Sequence, residues 1–309
     1  MPGIGVINNP HSRKNVKHPD RMDSLGHIVG TKGTSAATQQ VEDIDGMARL
    51  FCEQDIDILA INGGDGSASL VLTAMMREYQ DKPLPKVAML RGGTMNNVAN
   101  SCGIKGTPAG LMMNLVEKYR RGAPFETTFR DTLRIRDRYG FIFGNGFIVE
   151  FLEALYGSGK KTPFTTAKLL ARAAVSGVTG GAFAKKLFER INARVFLDGE
   201  EIEYNRFSAL AASTVQEIGL RFKPFFRCEE TPGSFHVLAA ISSPVSMVLS
   251  LRKAYMGRKI SEKRMVEFVA SEMVIESKKP IKYTLDGENY ETGKTLKITT
   301  GPRLELVVC

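Results

Sequence analysis

Residues 57–67, Asp-Ile-Leu-Ala-Ile-Asn-Gly-Gly-Asp-Gly-Ser, constrain this chain more than any other stretch. An apolar strand runs straight into a turn holding Gly63, Gly64 and Gly66, and a polar segment of helical character follows. Without Cβ atoms, such a turn lets main-chain N–H groups face inward and lets an anion such as a polyphosphate approach the backbone. A helix starting at the turn adds the positive end of its dipole. The one carboxylate there, Asp65, repels a phosphate unless a divalent cation or a reacting hydroxyl lies between them. The combination points to nucleotide chemistry rather than passive phosphate binding.

A second glycine loop, Arg91-Gly92-Gly93-Thr94-Met95-Asn96-Asn97, comes one strand–helix unit later. Gly92 and Gly93 again permit close backbone approach, Thr94 offers a hydroxyl, and Asn96 and Asn97 can read a ribose or a phosphate. One loop of this kind is weak evidence, because many strand–helix turns are glycine-rich simply to turn. Two at successive strand ends of one sheet build two walls of a cleft.

The surrounding pattern supplies that sheet. Strands are expected over residues 3–8, 27–30, 57–62 and 86–90, with helices over 38–54, 67–79 and 108–121. In the first of these helices Val41, Ile44, Ala48 and Phe51 share a face. Such alternation implies a parallel sheet covered on both faces, with ligands at the carboxyl ends of its strands. Asn8-Asn9-Pro10, the Gly63–Ser67 turn and Arg91–Thr94 all fall there. Beyond about residue 130 the texture changes to short alternating strands with turn signals, which reads as an antiparallel sandwich. A helical insert near residues 165–191, rich in Ala and Gly, interrupts it. Its Lys168 and Arg172 allow a membrane-facing role, against the plainer reading of a core-packed helix pair.

At four places the chain resembles the diacylglycerol kinase catalytic-domain superfamily, which includes bacterial lipid kinases and sphingosine kinases. Asn8-Asn9-Pro10-His11-Ser12 is similar to that family's first-strand loop, and Gly63-Gly64-Asp65-Gly66-Ser67 to its Gly-Gly-Asp-Gly-Thr signature. Gly93-Thr94-Met95-Asn96-Asn97 resembles its Gly-Thr-x-Asn-Asp signature, and Leu285-Asp286-Gly287-Glu288 its late Asp-Gly-Glu. The resemblance implies an NAD-kinase-like α/β nucleotide domain over residues 1–128. A β-rich lipid-acceptor domain over 129–309 follows, whose last strand can return to the first domain. It further implies ATP and Mg2+, with Asn8, Pro10, Ser12, Arg13, Gly63, Gly64, Gly66, Ser67, Gly92, Gly93, Thr94 and Asn96 at the nucleotide. Asp286 would be general base, with Glu288 and Asp65 organising the base or the metal. No metal ligands are assigned. Phe147, Phe151, Leu155 and Phe183 would accept acyl chains.

An internal control exists for Asp286. Leu197-Asp198-Gly199-Glu200 is the same tetrapeptide, and Asp-Gly between strands is a strong hairpin signal. Only its place in the family order favours a catalytic role for Asp286 and a plain turn for Asp198. The chain also departs from the family, with Asn97 where a second Asp is usual, Arg91 for Pro and Arg13 for Gly. Residues 157–162, Gly-Ser-Gly-Lys-Lys-Thr, imitate a Walker loop without its first glycine or its strand–helix context.

Charge and cysteines bound the setting. The formal net charge is +9, of which residues 131–309 carry +7. No Trp and no Arg–aromatic interleaving accompany it, so an anionic membrane surface fits better than nucleic acid. Cys52, Cys102, Cys228 and Cys309 are scattered, which argues against zinc or disulfides and for a reducing cytoplasm, with the protein peripheral to the membrane. His11, His18 and His27 sit in polar sequence, whereas His236 lies in an apolar strand and belongs to a core or an edge. The sequence thus points to an ATP-dependent lipid kinase. An NAD-kinase-like or other soluble-substrate kinase, or a catalytically weak nucleotide- or lipid-binding protein, are the rivals, and a homodimer stays open.

Overall fold

The computed structural model describes residues 3–17, 20–30, 33–38, 40–157, 162–179, 187, 189–242 and 244–308. Phe183, His18, Cys309, the pairs Lys160-Lys161 and Lys185-Lys186, and most of the Walker-like loop lie outside them. The chain divides into two units. One comprises the described residues of Met1–Arg130, Asp137–Gly140 and Pro302–Cys309, the other Asp131–Arg136 and Phe141–Gly301.

In the first unit the strands are β1 (Ile4–Asn8), β2 (Gly33–Ala37), β3 (Ile58–Asn62) and β4 (Lys86–Met89). They pair in parallel in the order β4-β3-β1-β2. The helices are α1 (Arg13–Lys17), α2 (Asp20–Val29), α3 (Val41–Gln54), α4 (Asp65–Tyr79), α5 (Asn97–Ser101) and α6 (Pro108–Arg121). All five residues of β1 and of β3 are buried, as central strands covered on both faces must be. Chain order reverses at β1, which lies between β3 and β2, so the carboxyl ends of β1 and β3 flank a topological switch point. Helix ends follow local chemistry. α6 starts with Thr107 accepting from the Gly110 N–H at 3.2 Å and with Pro108 at its first position, and it stops at left-handed Gly122.

One expected strand is wrong. Residues 27–29 end α2 and Gly30 follows it; the helix's Leu25 and Val29 lie one helical turn apart and are both buried. The strand is Gly33–Ala37, a half-exposed run of small residues with no apolar alternation to betray it.

In the second unit two antiparallel sheets enclose one core. The strands are β5 (Glu126–Ile135) in its last part, β7 (Ile142–Gly146), β8 (Ile191–Leu197), β9 (Glu200–Glu201), β10 (Arg206–Phe207), β11 (Ala209–Ser213) and β12 (Phe235–Ala240). After them come β13 (Met265–Ala270), β14 (Glu272–Ser277), β15 (Ile281–Leu285), β16 (Glu288–Thr292) and the first part of β17 (Thr295–Val308), while the short β6 (Arg138–Gly140) belongs to the first unit. One sheet runs β13-β12-β11-β7-β15-β16. The other includes β10-β8-β14-β17. Phe143, Leu210, Phe235 and Tyr283 of the first sheet pack with Val195, Ile275 and Ile298 of the second. His236 is fully buried in β12, as a core histidine should be.

Among the described residues, the α-helices of this unit are α7 (Phe147–Gly157), α8 (Pro163–Thr179) and α9 (Pro244–Tyr255). The expected insert is thus helical up to Thr179, whereas Ile191 already opens β8. Pro244 occupies the first position of α9, where its missing N–H costs nothing.

Candidate active site

The first unit gathers its predicted site residues at the carboxyl ends of β1, β3 and β4. The Asn62 side-chain amide, at the end of β3, donates to Asn8 Oδ1 at 2.9 Å. Asn8, ending β1, donates in turn to Ser35 Oγ at 3.1 Å and to the Ala36 carbonyl at 3.3 Å. Asn9 Nδ2 donates to Ser67 Oγ at 2.7 Å, tying the first loop to the start of α4. Asn15 secures that loop from behind, donating to the carbonyls of Asn9 (2.7 Å) and Asn62 (3.2 Å). Neither Asn9 nor Asn15 was among the expected site residues; only the polar run after β1 hints at them. Pro10 is half-buried and Ser12 is buried, its carbonyl accepting from the Asn15 and Val16 amides at the start of α1. Arg13 follows, its side chain outside the described part. Lys14 Nζ donates to the Arg91 carbonyl at 2.8 Å, joining the first loop to the second.

The two glycine loops touch. The Gly93 amide donates to the Gly63 carbonyl at 2.9 Å. A Cβ on Gly93 would fall well inside contact distance of Gly64 Cα, and one on Gly92 would lie 2.5 Å from Asn62 Oδ1. On Gly64 it would meet Gly93 Cα at 3.3 Å, tighter than ordinary packing. Gly64 has φ −93°, so this glycine serves clearance and not a left-handed turn. Asn96, itself left-handed at φ 53°, clamps the second loop: its amide both accepts from and donates to the backbone of Gly93, at 3.1 and 3.0 Å. Both ends of that side chain are therefore engaged within the loop. Half-buried Thr94 lies between these two residues.

Asp65 is the first residue of α4. Its carboxylate accepts the amides of Asn97 (3.0 Å) and Val98 (3.1 Å), the opening amides of α5. Burial pushes the Asp65 carboxyl above the usual range, opposed by these amides and by the charge of Arg91. Arg91, at φ 60°, donates to Asn100 Oδ1 at 2.7 Å and the Ile104 carbonyl at 2.6 Å. The first hydrogen bond inside α4 runs from the Ala68 amide to the Gly64 carbonyl, so the amides of Gly66 and Ser67 have no acceptor within the helix. These donors and the glycine clearance fit a phosphate group. Among the described residues no cluster of three acidic, His or Cys side chains could cage a metal. The Asp65 carboxylate and Asn97 Oδ1, which is buried without a hydrogen-bond partner, supply two hard oxygens. That set suits a magnesium ion held mostly by phosphate oxygens and water.

In the second unit, Asp286 and Gly287 form a two-residue turn between β15 and β16, at φ 49° and 90°. The nearly buried Asp286 carboxylate accepts from the Phe141 amide (3.0 Å) and the Ile142 amide (2.9 Å). Asp198 and Gly199 repeat the turn at φ 49° and 92°, and Asp198 Oδ1 accepts the amides of Ser271 (3.0 Å) and Glu272 (2.8 Å). The twins share one structural habit, with a turn aspartate gripping two successive amides of a neighbouring segment. They differ in burial, Asp198 being exposed. Glu288 is exposed beside the Asp286 turn, and the Tyr156 hydroxyl of α7 donates to the Gly287 carbonyl. Burial, with the nearby Glu288 charge, raises that hydroxyl to about 12. On α7, Phe147 and Phe151 stack with ring centres 5.7 Å apart against Ala173 and Leu187, and Leu155 is buried.

The first unit is thus a parallel α/β domain whose paired glycine loops are shaped for an anion. Residues 4–125 match the family model of the diacylglycerol kinase catalytic domain. A candidate diacylglycerol kinase from Bacillus anthracis str. Sterne has a similar structure, with TM-score 0.71 at 14% identity over 99% of this chain and 97% of its own. A diacylglycerol kinase from the same organism reaches TM-score 0.67 at 13% identity, over the same shares. At these identities the likeness is one of fold. No curated protein matches the chain.

Proposed function

We propose that this protein is an ATP-dependent lipid kinase that phosphorylates a hydroxyl of diacylglycerol or a related lipid. The observation that carries the reading is the contact of two glycine loops at the strand ends of a domain that matches the diacylglycerol kinase family. Phosphoryl transfer asks a protein for positioning and charge neutralisation more than for covalent chemistry. The amides of Gly66 and Ser67 and the Gly92–Thr94 loop hold phosphate oxygens, and Asn9 and Asn96 fix the loops that present them. Asp65, pinned by the first amides of α5, keeps the two loops in register and offers an oxygen toward the metal. The Asp65 carboxylate and Asn97 Oδ1 would help hold magnesium, which would supply charge neutralisation for the phosphates. Asp286, its carboxylate oriented by Phe141 and Ile142, takes the proton of the acceptor hydroxyl, with Glu288 alongside. Phe147, Phe151 and Leu155 receive the acyl chains. The setting is the cytoplasmic face of an anionic membrane, in keeping with the +7 balance of residues 131–309 and the scattered cysteines.

A second reading, a binding protein without turnover, is favoured by one observation: Asp286 uses its carboxylate much as the exposed turn residue Asp198 does. Incubation with radiolabelled ATP and magnesium, together with a total lipid extract and soluble acceptors that include NAD, separates the readings. Label in a lipid product supports the kinase. Label only in a water-soluble acceptor makes it a soluble-substrate kinase, and bound ATP without transfer leaves the binding protein.

A further inference from the structure

We propose that the outward face of α8, with the adjoining end of α9, is a docking surface for an anionic lipid bilayer. The proposal rests on the lipid-kinase reading and names the surface through which that kinase would meet its substrate. α8 contains no acidic residue, and neither does α9. On α8, positions 164, 168, 171, 172 and 175 fall on one helical face, and all five residues there are exposed. Phe164 and Val175 are exposed by 77% and 65%, unusual for apolar side chains of this size, and Lys168 and Arg172 lie between them. α9 packs against α8 and ends with exposed Arg252 and Lys253, followed by Tyr255 and Met256, which are exposed by 53% and 47%.

Four cations on two helices that contain no acidic residue, interleaved with outward apolar side chains, complement a surface both anionic and apolar just beneath its charges. A phospholipid headgroup layer is such a surface. Among the described residues no helix is long and apolar enough to cross a membrane, so the helix would lie in the interface. Its opposite side supports the assignment. Ala173, fully buried on α8, packs on Phe147 and Phe151 of α7. α7 in turn reaches the Asp286 turn through Tyr156. One helix therefore has the proposed acyl-binding aromatics behind it and cations with apolar side chains in front.

The chain contains no Trp, so Phe164→Trp creates a sole indole reporter on this face. Its emission is followed as vesicles of equimolar phosphatidylglycerol and phosphatidylcholine, or of phosphatidylcholine alone, are added without nucleotide or diacylglycerol. A blue shift with the anionic vesicles, suppressed by salt and weak with the neutral ones, is expected. Adding Lys168→Gln and Arg172→Gln should weaken apparent vesicle affinity about five-fold per cation removed, since each basic residue near an anionic surface contributes about that factor. Met113→Trp, on the exposed face of α6 in the other unit, should show no shift. No shift with either vesicle, or an equal shift from Met113→Trp, overturns the proposal. So does a concentration-dependent blue shift without vesicles, because the occupant would then be a second copy of the chain. Phosphorylation of detergent-dispersed diacylglycerol is measured separately. If it proceeds while docking fails, only the surface assignment falls; if docking succeeds while it fails, the lipid-kinase reading falls.

Discussion

Asp286→Asn and Asp198→Asn together form the sharpest test, because local sequence and turn geometry are the same at both sites. Asn tolerates the left-handed φ of 49° found at both positions, so neither substitution should disturb the turn. Each does weaken a carboxylate grip on two amides. Hydrogen bonds to a charged acceptor contribute roughly 1.5–3 kcal/mol against about 1 for neutral ones, so the loss should be about 1–2 kcal/mol at each site. At Asp286 the Phe141 amide is buried, and a donor left facing the new NH2 group adds roughly 1–3 kcal/mol. Urea unfolding should therefore rank Asp286→Asn as the less stable variant. Turnover should separate them far more widely. Removing a general base typically costs ~10²–10⁴-fold in rate, whereas a turn residue away from the chemistry costs little. Initial rates of phosphoryl transfer into diacylglycerol micelles are compared at a temperature where both variants are folded, alongside ATP binding by equilibrium dialysis. Asp198→Asn should stay close to wild type, and both should retain ATP affinity. Equal rates in the two variants would refute the base assignment and make Asp286 a structural turn residue like its twin.

Three further outcomes are expected. Gly93→Ala places a methyl group against Gly64 Cα, backbone against backbone, so the loops must part and ATP affinity should fall by about ten-fold or more in calorimetric titration, with the fold retained by circular dichroism. Gly46→Ala, in the interior of α3 with nothing within 4 Å of the new Cβ, should raise stability by about 0.5–1 kcal/mol in urea unfolding and leave ATP affinity unchanged. His236 is held neutral, lowered to about 4 mainly by burial and secondarily by the Arg227 charge, so the unfolded chain binds its proton first; stability should drop by roughly 3 kcal/mol as pH falls from about 6.5 to 4, and His236→Leu should flatten that part of the curve.

Burial decides which parts of the fold can be read from the sequence. β1 and β3 stand out because strands covered on both faces become continuous apolar runs bounded by Asn and Gly. β2 escapes because Gly-Thr-Ser-Ala-Ala lies at the end of the parallel order, half-exposed, with no pattern to carry the signal. α7 escapes for the opposite reason. Phe147-Ile148-Val149-Glu150-Phe151-Leu152 is apolar on almost every side, so periodicity cannot distinguish a buried helix from a strand. In the site, the glycines and Asp65 are visible as a motif. The capping of α5 by Asp65 joins residues more than thirty positions apart in sequence, and only the tertiary fold reveals it.

The glycines show how one residue type answers two different demands. Gly199 and Gly287 have φ near 90°, a region denied to most side chains, and each completes a hairpin turn. Gly64 has an ordinary φ and is needed for its lack of bulk, because Gly93 of the next loop lies against it. A local sequence rule treats both kinds as turn formers. The distinction matters for function, since a conformational glycine shapes its own turn whereas a clearance glycine couples two loops. Clearance also explains why Gly-Gly occurs in both loops: the strand ends of β3 and β4 are neighbours in a parallel sheet, and the loops leaving them can close on one another only if both give up side-chain volume. A bulky change at Gly64 or Gly93 should therefore impair both loops at once. Combined variants at the two positions should be strongly non-additive in ATP affinity, the second costing far less than it does alone.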